Sequence, residues 1–307
     1  MNRDDILQEE KGARYSGVLA ASVAFVIWGV LPIYWKLLQG IPAYEILCHR
    51  MSWSVLVTFG LILILGKKRS LWQALKNPRT VVIFTLIALL LACNWLIYIW
   101  AINAGHIIEA SLGYFINPLI NVLFGVIFFR ERMRPAQWAA LFLVCCGVLY
   151  LTIYYGQFPW IAITLAVSFA IYGLLHKKTS VPPLEGLCLE TIVLFVPAVL
   201  FLLVMETKGY GSFGHISLSQ SLLLAGTGLV TAVPLLFFGY AASKIPLSTL
   251  GLLQYLAPTI NLLIGIFMYG ESFPKERMIG FTLIWVALLL YVGENMVRRI
   301  RQGREVL

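Results

Sequence analysis

Two stretches, PLINVLFGVIFFRE (118–131) and PTINLLIGIFMYGE (258–271), decide the fold. They lie 140 residues apart and carry Pro, Asn, Gly and Glu at the same places: Pro118 and Pro258, Asn121 and Asn261, Gly125 and Gly265, Glu131 and Glu271. Apolar helices resemble one another by chance because all are rich in Leu, Ile and Val. Aligned Pro, Asn, Gly and Glu are much harder to obtain that way. Two further pairs keep nearly the same register. VAFVIWGVL (23–31) matches VSFAIYGLL (167–175) at an offset of 144, and IPAYEILC (41–48) matches VPPLEGLC (181–188) at an offset of 140. The chain is a tandem duplication.

Working outward, the chain has 307 residues, of which 60% are hydrophobic and 12% charged, with a mean hydropathy of +0.86. A soluble domain carries about 25% charged residues, so this surface is too poor in charge to face water. Apolar segments fall at 16–37, 43–65, 80–102, 109–129, 136–155, 159–175, 185–205, 217–239, 247–269 and 278–297. Ten helices at about 20 residues each use roughly 200 residues and leave no room for a soluble domain. The first segment exceeds a signal-peptide core and lacks a small-residue cleavage site, so it reads as a retained helix. Cys48, Cys93, Cys145, Cys146 and Cys188 fall inside apolar segments without metal-ligand spacing and read as small buried hydrophobes.

The formal charge of +9 is distributed as a topology signal, which argues against nucleic acid as a partner. With the N-terminus on one side, that side collects 18 Lys and Arg, in the segments around Arg14, Lys67–Arg79, Arg130–Arg134, Lys177–Lys178, Lys244 and Arg298–Arg304. The opposite side holds four: Lys36, Lys208, Lys275 and Arg277. Both termini are therefore expected in the cytoplasm. Because a five-helix unit is odd, its second copy starts on the opposite side of the membrane. The expected fold is all-α, ten transmembrane helices as two inverted five-helix repeats, an architecture typical of secondary transporters. Expected units are a cytoplasmic segment 1–15, repeats over 16–155 and 159–297, and a basic tail 298–307.

Matched prolines inside hydrophobic helices point to a binding site near the midplane. Pro118 and Pro258 leave the carbonyls of Tyr114 and Gln254 without helical partners, which is tolerated where protein or cavity water can satisfy them. Asn117, Asn121 and Asn261 add amides within a turn of these breaks, and Asn94 and Trp95 on the third helix suit stacking plus hydrogen bonding of one ligand. The alternative is that the prolines bend helices for packing and the amides bond across helices. Trp28 and Tyr172 are matched, each followed by glycine, and read equally as hinge or packing points. Glu45 and Glu185 read as helix starts near Pro42 and Pro182, and His49 lies one turn after Glu45 as a weak relay candidate. Arg50 and Glu190 occupy equivalent positions at opposite depths; they are expected not to pair and to face vestibules. His106 and Glu109 are either a proton-sensing pair or solvated caps. Glu131 and Glu271 are expected to bond the following helix start or a nearby Arg. Gly17, Ala20, Ala21 and Ala24 allow close helix contact, within the chain or in a homodimer.

The run CNWLIYIWAINAGHIIEASLGYFINPLINVLFG (93–125), with FRER (129–132) and the P…N…G…E pattern of helix nine, resembles the RarD group of the EamA family in the drug/metabolite transporter superfamily. That resemblance implies ten helices with both ends cytoplasmic, a bacterial inner membrane, and a cavity lined mainly by helices 1, 3, 4, 6, 8 and 9. It also implies export of small organic molecules such as amino acids, related metabolites or drugs; the group is commonly labelled a chloramphenicol permease.

The expected function is secondary transport by alternating access, with no cofactor. The sequence lacks a Walker A pattern, so a proton or substrate gradient is the expected drive. Three readings rival it, of which a sensor or receptor calls for a soluble output domain that the ten apolar segments leave no room for. A flippase for lipid-linked intermediates calls for a basic site, with Arg50 and Lys36 as candidates. A membrane-embedded enzyme calls for clustered nucleophile, base or metal ligands, and neither HExxH nor GxSxG occurs.

Overall fold

The computed structural model describes residues 3–104, 106–155, 158–270, 278–280, 282–283, 285–287, 289–290 and 293–294. These form α1 (Arg3–Leu37), α2 (Ala43–Ile64), α3 (Lys68–Lys76), α4 (Pro78–Asn103), α5 (Ile107–Phe129), α6 (Pro135–Tyr155), α7 (Trp160–Lys178), α8 (Pro183–Thr207), α9 (Leu218–Lys244), α10 (Leu247–Gln254) and α11 (Leu256–Tyr269). Among the described residues, nine helical segments are long and apolar enough to cross a membrane, α10 and α11 counting as one, and Met278–Ala287 is a shorter apolar helix. Side chains that face outward are apolar, as Phe142, Ile153 and Phe267 show at 68%, 75% and 82% exposure. A surface of that kind suits lipid, where helices satisfy their own backbone groups. The protein is a multi-pass, all-α membrane protein.

The duplication is visible in the helix ends. α5 closes on Arg130 in the left-handed region (φ 52°), whose amide donates to the Gly125 carbonyl. Its counterpart α11 closes on Gly270 (φ 64°), whose amide donates to the Gly265 carbonyl. Both are αL caps of one backbone design. Packing between the halves obeys the same symmetry. α1 packs on α9 as α7 packs on α4; α2 on α9 as α8 on α4; α5 on α7 as α11 on α1. Two pairs, α2 with α8 and α5 with α10, map onto themselves and lie along the pseudo-twofold.

Three features depart from the sequence reading. The loop after the second span contains α3, a short helix that buries Leu71 and exposes Trp72 at the basic side. The ninth span is broken in two at Tyr255, three residues before Pro258, and Tyr255 Oη donates to the Phe115 carbonyl to pin the break onto α5 (2.9 Å). By contrast α5 runs helically through Pro118. The matched prolines thus give one broken helix and one continuous one. Here α10 lies tightly on α5: a Cβ on Gly251 would fall 2.7 Å from the Pro118 carbonyl oxygen, so only glycine allows the approach. The small-residue stripe of α1 is spent inside the chain rather than on a dimer. Ala20, Ala21 and Ala24 are buried, and Gly17 meets Lys244 and Ile245.

Candidate functional site

A cavity of about 250 Å³ opens among α1, α2, α4, α5, α7, α9 and the α10–α11 break. Its apolar wall comes from α1 (Phe25, Trp28, Leu31, Pro32, Trp35) and α7 (Leu165, Phe169). Its polar groups are Arg50 on α2, Asn94 and Tyr98 on α4, Tyr114 and Asn117 on α5, Thr231 on α9, and Gln254 and Asn261 at the break. Apolar walls with a few convergent polar groups are the usual make-up of a small-molecule site.

The cavity lies towards the side opposite the basic loops, and aromatic rings floor it. Phe25, Trp28, Phe169, Tyr172 and Phe238 contact one another with centroids 5.4–6.2 Å apart. Nearer the basic side, a polar network ties three helix ends together. Glu131 Oε1 accepts from the Leu247 amide (2.7 Å), and Oε2 accepts from the amide and hydroxyl of Ser248 (2.9 and 2.6 Å). Lys177 Nζ donates to the Ile245 carbonyl (2.6 Å) and lies 3.5 Å from Glu131. A carboxylate at the start of α10 meets free amides and the positive end of the helix dipole. The partner expected for Glu131 is corrected accordingly: it caps α10, far away in sequence, and neither the following helix nor an Arg. Glu271 lies outside the described residues.

Of the residues singled out from sequence, Trp28, Arg50, Asn94, Trp95, Tyr114, Asn117, Gln254, Pro258 and Asn261 line the cavity. Asn94 also has a structural duty, since its Nδ2 donates to the Leu165 carbonyl and to Ser168 Oγ (both 2.8 Å). Asn261 Oδ1 has no hydrogen-bond partner among the described residues. Pro118 and Asn121 do not line it. Asn121 is fully buried behind the wall, and its Nδ2 donates to Asn117 Oδ1 (3.0 Å) and Gln254 Oε1 (2.8 Å). The reason is depth: Asn121 shares a face of α5 with Asn117 but lies one turn, about 6 Å, further along it, level with α10, where Gly251 makes room.

The gating and coupling candidates scatter. His49 is buried beside the α8–α9 loop; its Nδ1 accepts from Trp53 Nε1 (3.2 Å) and its Nε2 sits 3.9 Å from Glu45. Glu45 is committed to that loop, accepting from the amide and hydroxyl of Ser212 (2.6 and 2.7 Å). His106 stacks on Trp100 at the start of α5, away from the cavity. The Glu109 side chain lies outside the described residues. Tyr172 belongs to the floor. Glu190 does not face a vestibule: it is 1% exposed and lies 2.8 Å from His176 Nε2. No ion pair joins it to Arg50, yet the two border one small void of about 10 Å³ between α2, α4, α8 and α9. They are closer than opposite depths suggested, because α2 and α8 cross on the pseudo-twofold. Sequence reasoning missed Trp35, Thr231 and His176; none carried a positional signal.

The sequence pattern of the EamA-like transporter family matches residues 15–153 and again 159–293. The chain belongs to the EamA-like transporter family. Among relatives, Protein RarD of Streptomyces exfoliatus is 45% identical over 289 residues, covering 94% of this chain and 91% of that protein. A more distant relative, the chloramphenicol-sensitive protein RarD of Pseudomonas aeruginosa, is 30% identical over 292 residues, covering 93% and 96%. A crystal structure of a protein superposes with a TM-score of 0.68 at 21% identity, covering 90% of this chain and 96% of that one, a likeness of fold. Membership of this family makes the chain a membrane transporter and not an enzyme.

Proposed function

We propose that the chain is a secondary active exporter of small organic molecules (amino acids, related metabolites or drugs such as chloramphenicol) in a bacterial inner membrane. The basic loops and both termini face the cytoplasm, and the two repeats rock about the cavity. The observation that carries this reading is the cavity's place. It sits between the repeats at the broken ninth span, while the aromatic floor and the Glu131–Lys177 network close the cytoplasmic side beneath it. One closed face and one approachable face is the arrangement that inverted repeats exchange during alternating access.

Protons are the coupling ion in this reading, and the buried His176–Glu190 pair is the group that takes one up. Intramembrane ionisable pairs of this kind mark proton paths in transporters. The test is flux of radiolabelled amino acids and drugs in proteoliposomes, with and without an imposed pH gradient. Leu31→Trp, which fills the cavity, is expected to abolish flux, whereas Leu149→Trp on the lipid face leaves it intact. Glu190→Gln is expected to remove the response to the gradient while downhill exchange continues. Flux that survives Leu31→Trp in correctly inserted protein sinks the cavity as the route.

A further inference from the structure

We propose that Arg50 is the anchor for a carboxylate on the transported substrate, so that the cavity takes monoanionic acids with an apolar body. The inference rests on the transporter reading above and specifies its substrate class.

Arg50 is the only formally charged side chain among those lining the cavity. It lies seven residues inside α2, about 10 Å along the helix, at a depth where a charge is costly and needs a partner. Its protein contacts leave it incompletely satisfied. Nε donates to Thr231 Oγ1 (3.0 Å), and the guanidinium carbon lies 4.4 Å from the Trp95 ring and 5.0 Å from the Trp35 ring. Two indoles and a neutral hydroxyl hold the group in place without neutralising it. Its two terminal nitrogens donate no hydrogen bond to the protein among the described residues, and the nearby Tyr98 and Tyr114 bring it no carboxylate. A planar fork with free parallel N–H donors is the natural partner of a carboxylate.

The duplication supplies an internal control. In the second half the equivalent charge, Glu190, is met by His176 at 2.8 Å. The 144-residue offset of the helix pair carries His176 back to position 32, one residue past the VAFVIWGVL match, and position 32 is Pro32. Pro32 lines the cavity with Arg50 and has no side-chain group to offer it. The second half thus sets a histidine against its charge, although neither Glu190 oxygen makes a hydrogen bond there, whereas Arg50 meets no carboxylate among the described residues. One positive charge balances one carboxylate; a phosphate dianion would bring a second charge with no partner. The apolar part of the ligand meets Phe25, Trp28 and Phe169. A neutral drug brings the fork acceptors but no compensating charge.

The test uses the full chain, purified in detergent and in proteoliposomes, with matched probes. These are 3-phenylpropionate and 4-methylpentanoate, each beside its uncharged carboxamide, with inorganic phosphate and chloramphenicol as comparators. Ligand-induced thermal stabilisation gives affinity, and tryptophan fluorescence reports on Trp35 and Trp95. The expected result is that a carboxylate stabilises the protein saturably while its amide does not. Its half-saturating concentration should rise about tenfold or more in Arg50→Gln, the loss expected for a hydrogen bond to a charged group. Arg50→Lys should lose less, and Thr231→Val a few-fold, so the test stands even if Arg50→Gln fails to fold. Equal binding of acid and amide, unchanged affinity in Arg50→Gln, preferential binding of phosphate, or no response to any carboxylate overturns the assignment. If chloramphenicol moves in a way blocked by Leu31→Trp while none of the acids does, Arg50 is misassigned and the transporter reading stands. If no compound shows flux blocked by Leu31→Trp, the transporter reading itself has failed.

Discussion

Gly228 is where α9 touches α2, and replacing it with alanine gives a sharp test of the packing that positions Arg50. A Cβ at 228 would lie 2.4 Å from the Trp53 carbonyl carbon, 2.5 Å from Trp53 Cβ and 2.7 Å from the Trp53 carbonyl oxygen. Ordinary van der Waals contact begins at 3.4 Å, so the helices must part by about 1 Å. The obstructing atoms are backbone and Cβ, which no rotamer change removes. Overpacking costs about 1–3 kcal/mol, and rigid neighbours place this case at the upper end. Alanine returns up to about 1 kcal/mol through its better helix propensity, leaving a net loss of ~2 kcal/mol. That corresponds to a fall of about 5 °C in the melting temperature followed by tryptophan fluorescence in detergent. The same parting stretches the Ser54 to Gly228 carbonyl bond (3.3 Å) and the Arg50–Thr231 bond (3.0 Å), so flux should fall as well. Gly60→Ala, also on α2 but with nothing within 4 Å of the new Cβ, is the control and should not lose stability. Trp53→Ala should not rescue Gly228→Ala, because it keeps the obstructing atoms. A Gly228→Ala protein that melts and transports like wild type, or one rescued by Trp53→Ala, would refute this account of the α2–α9 contact.

Glu131→Gln weakens the cap on α10 and the tie to Lys177; losing charge-assisted bonds of this kind costs about 1–3 kcal/mol. It should expose the side of the basic loops, read as faster labelling of a cysteine introduced at Leu250, which is buried, and unchanged labelling counts against the network as a lock. Asn121→Leu leaves Gln254 without its buried donor and should lower the melting temperature and flux together, although the side chain lies outside the cavity. A loss of affinity without loss of stability would show that Asn121 contacts the ligand instead. In the α8–α9 loop, the Glu206 carboxylate beside His215 (2.7 Å) raises the imidazole above its ordinary 6.5 through a hydrogen bond and charge attraction. Because the folded value is the raised one, the pair's contribution is fully present below pH 6.5 and fades as pH rises through the folded value. NMR titration of His215 checks this, and Glu206→Gln should bring its midpoint down.

The spans and the duplication were legible because their signals are local or repeat: long apolar runs, and Pro, Asn, Gly and Glu that recur at one offset. Tyr114, Asn117, Gln254, Pro258 and Asn261 of the cavity were legible for a related reason, since proline placement alone directs attention to α5 and to the α10–α11 break. What stayed hidden is azimuth. A helix that is apolar all round offers no periodic stripe to say which face meets a neighbour. Thr231 and Trp35 were silent for that reason, and His176 gave no sign that it would meet Glu190. Nor does sequence say how far along a face a cavity reaches: Asn117 and Asn121 share one face of α5, yet one lines the cavity and the other, a turn on, is sealed against α10.

The comparison of the two halves also shows which features duplication preserves. Backbone-determining positions keep their roles: Arg130 and Gly270 both cap in the left-handed region, and the prolines at 42 and 182 both open helices. Glu45 with Glu185 and Glu131 with Glu271 stay matched at the helix ends, but deeper positions diverge, as Arg50 against Glu190 and Pro32 against His176 demonstrate. A backbone that must interconvert two related arrangements constrains both copies alike, so its caps and hinges stay matched. The polar groups answer to different surroundings, because a given depth in one repeat corresponds to the opposite depth in the other. Divergence at a matched charge is therefore more informative than its conservation would be. Glu190 with its histidine is closed to the cavity, whereas Arg50 opens on it with its fork unfilled. On the two proposals above the repeats divide the work: one carries the group that meets the substrate, and the other the group that holds the proton.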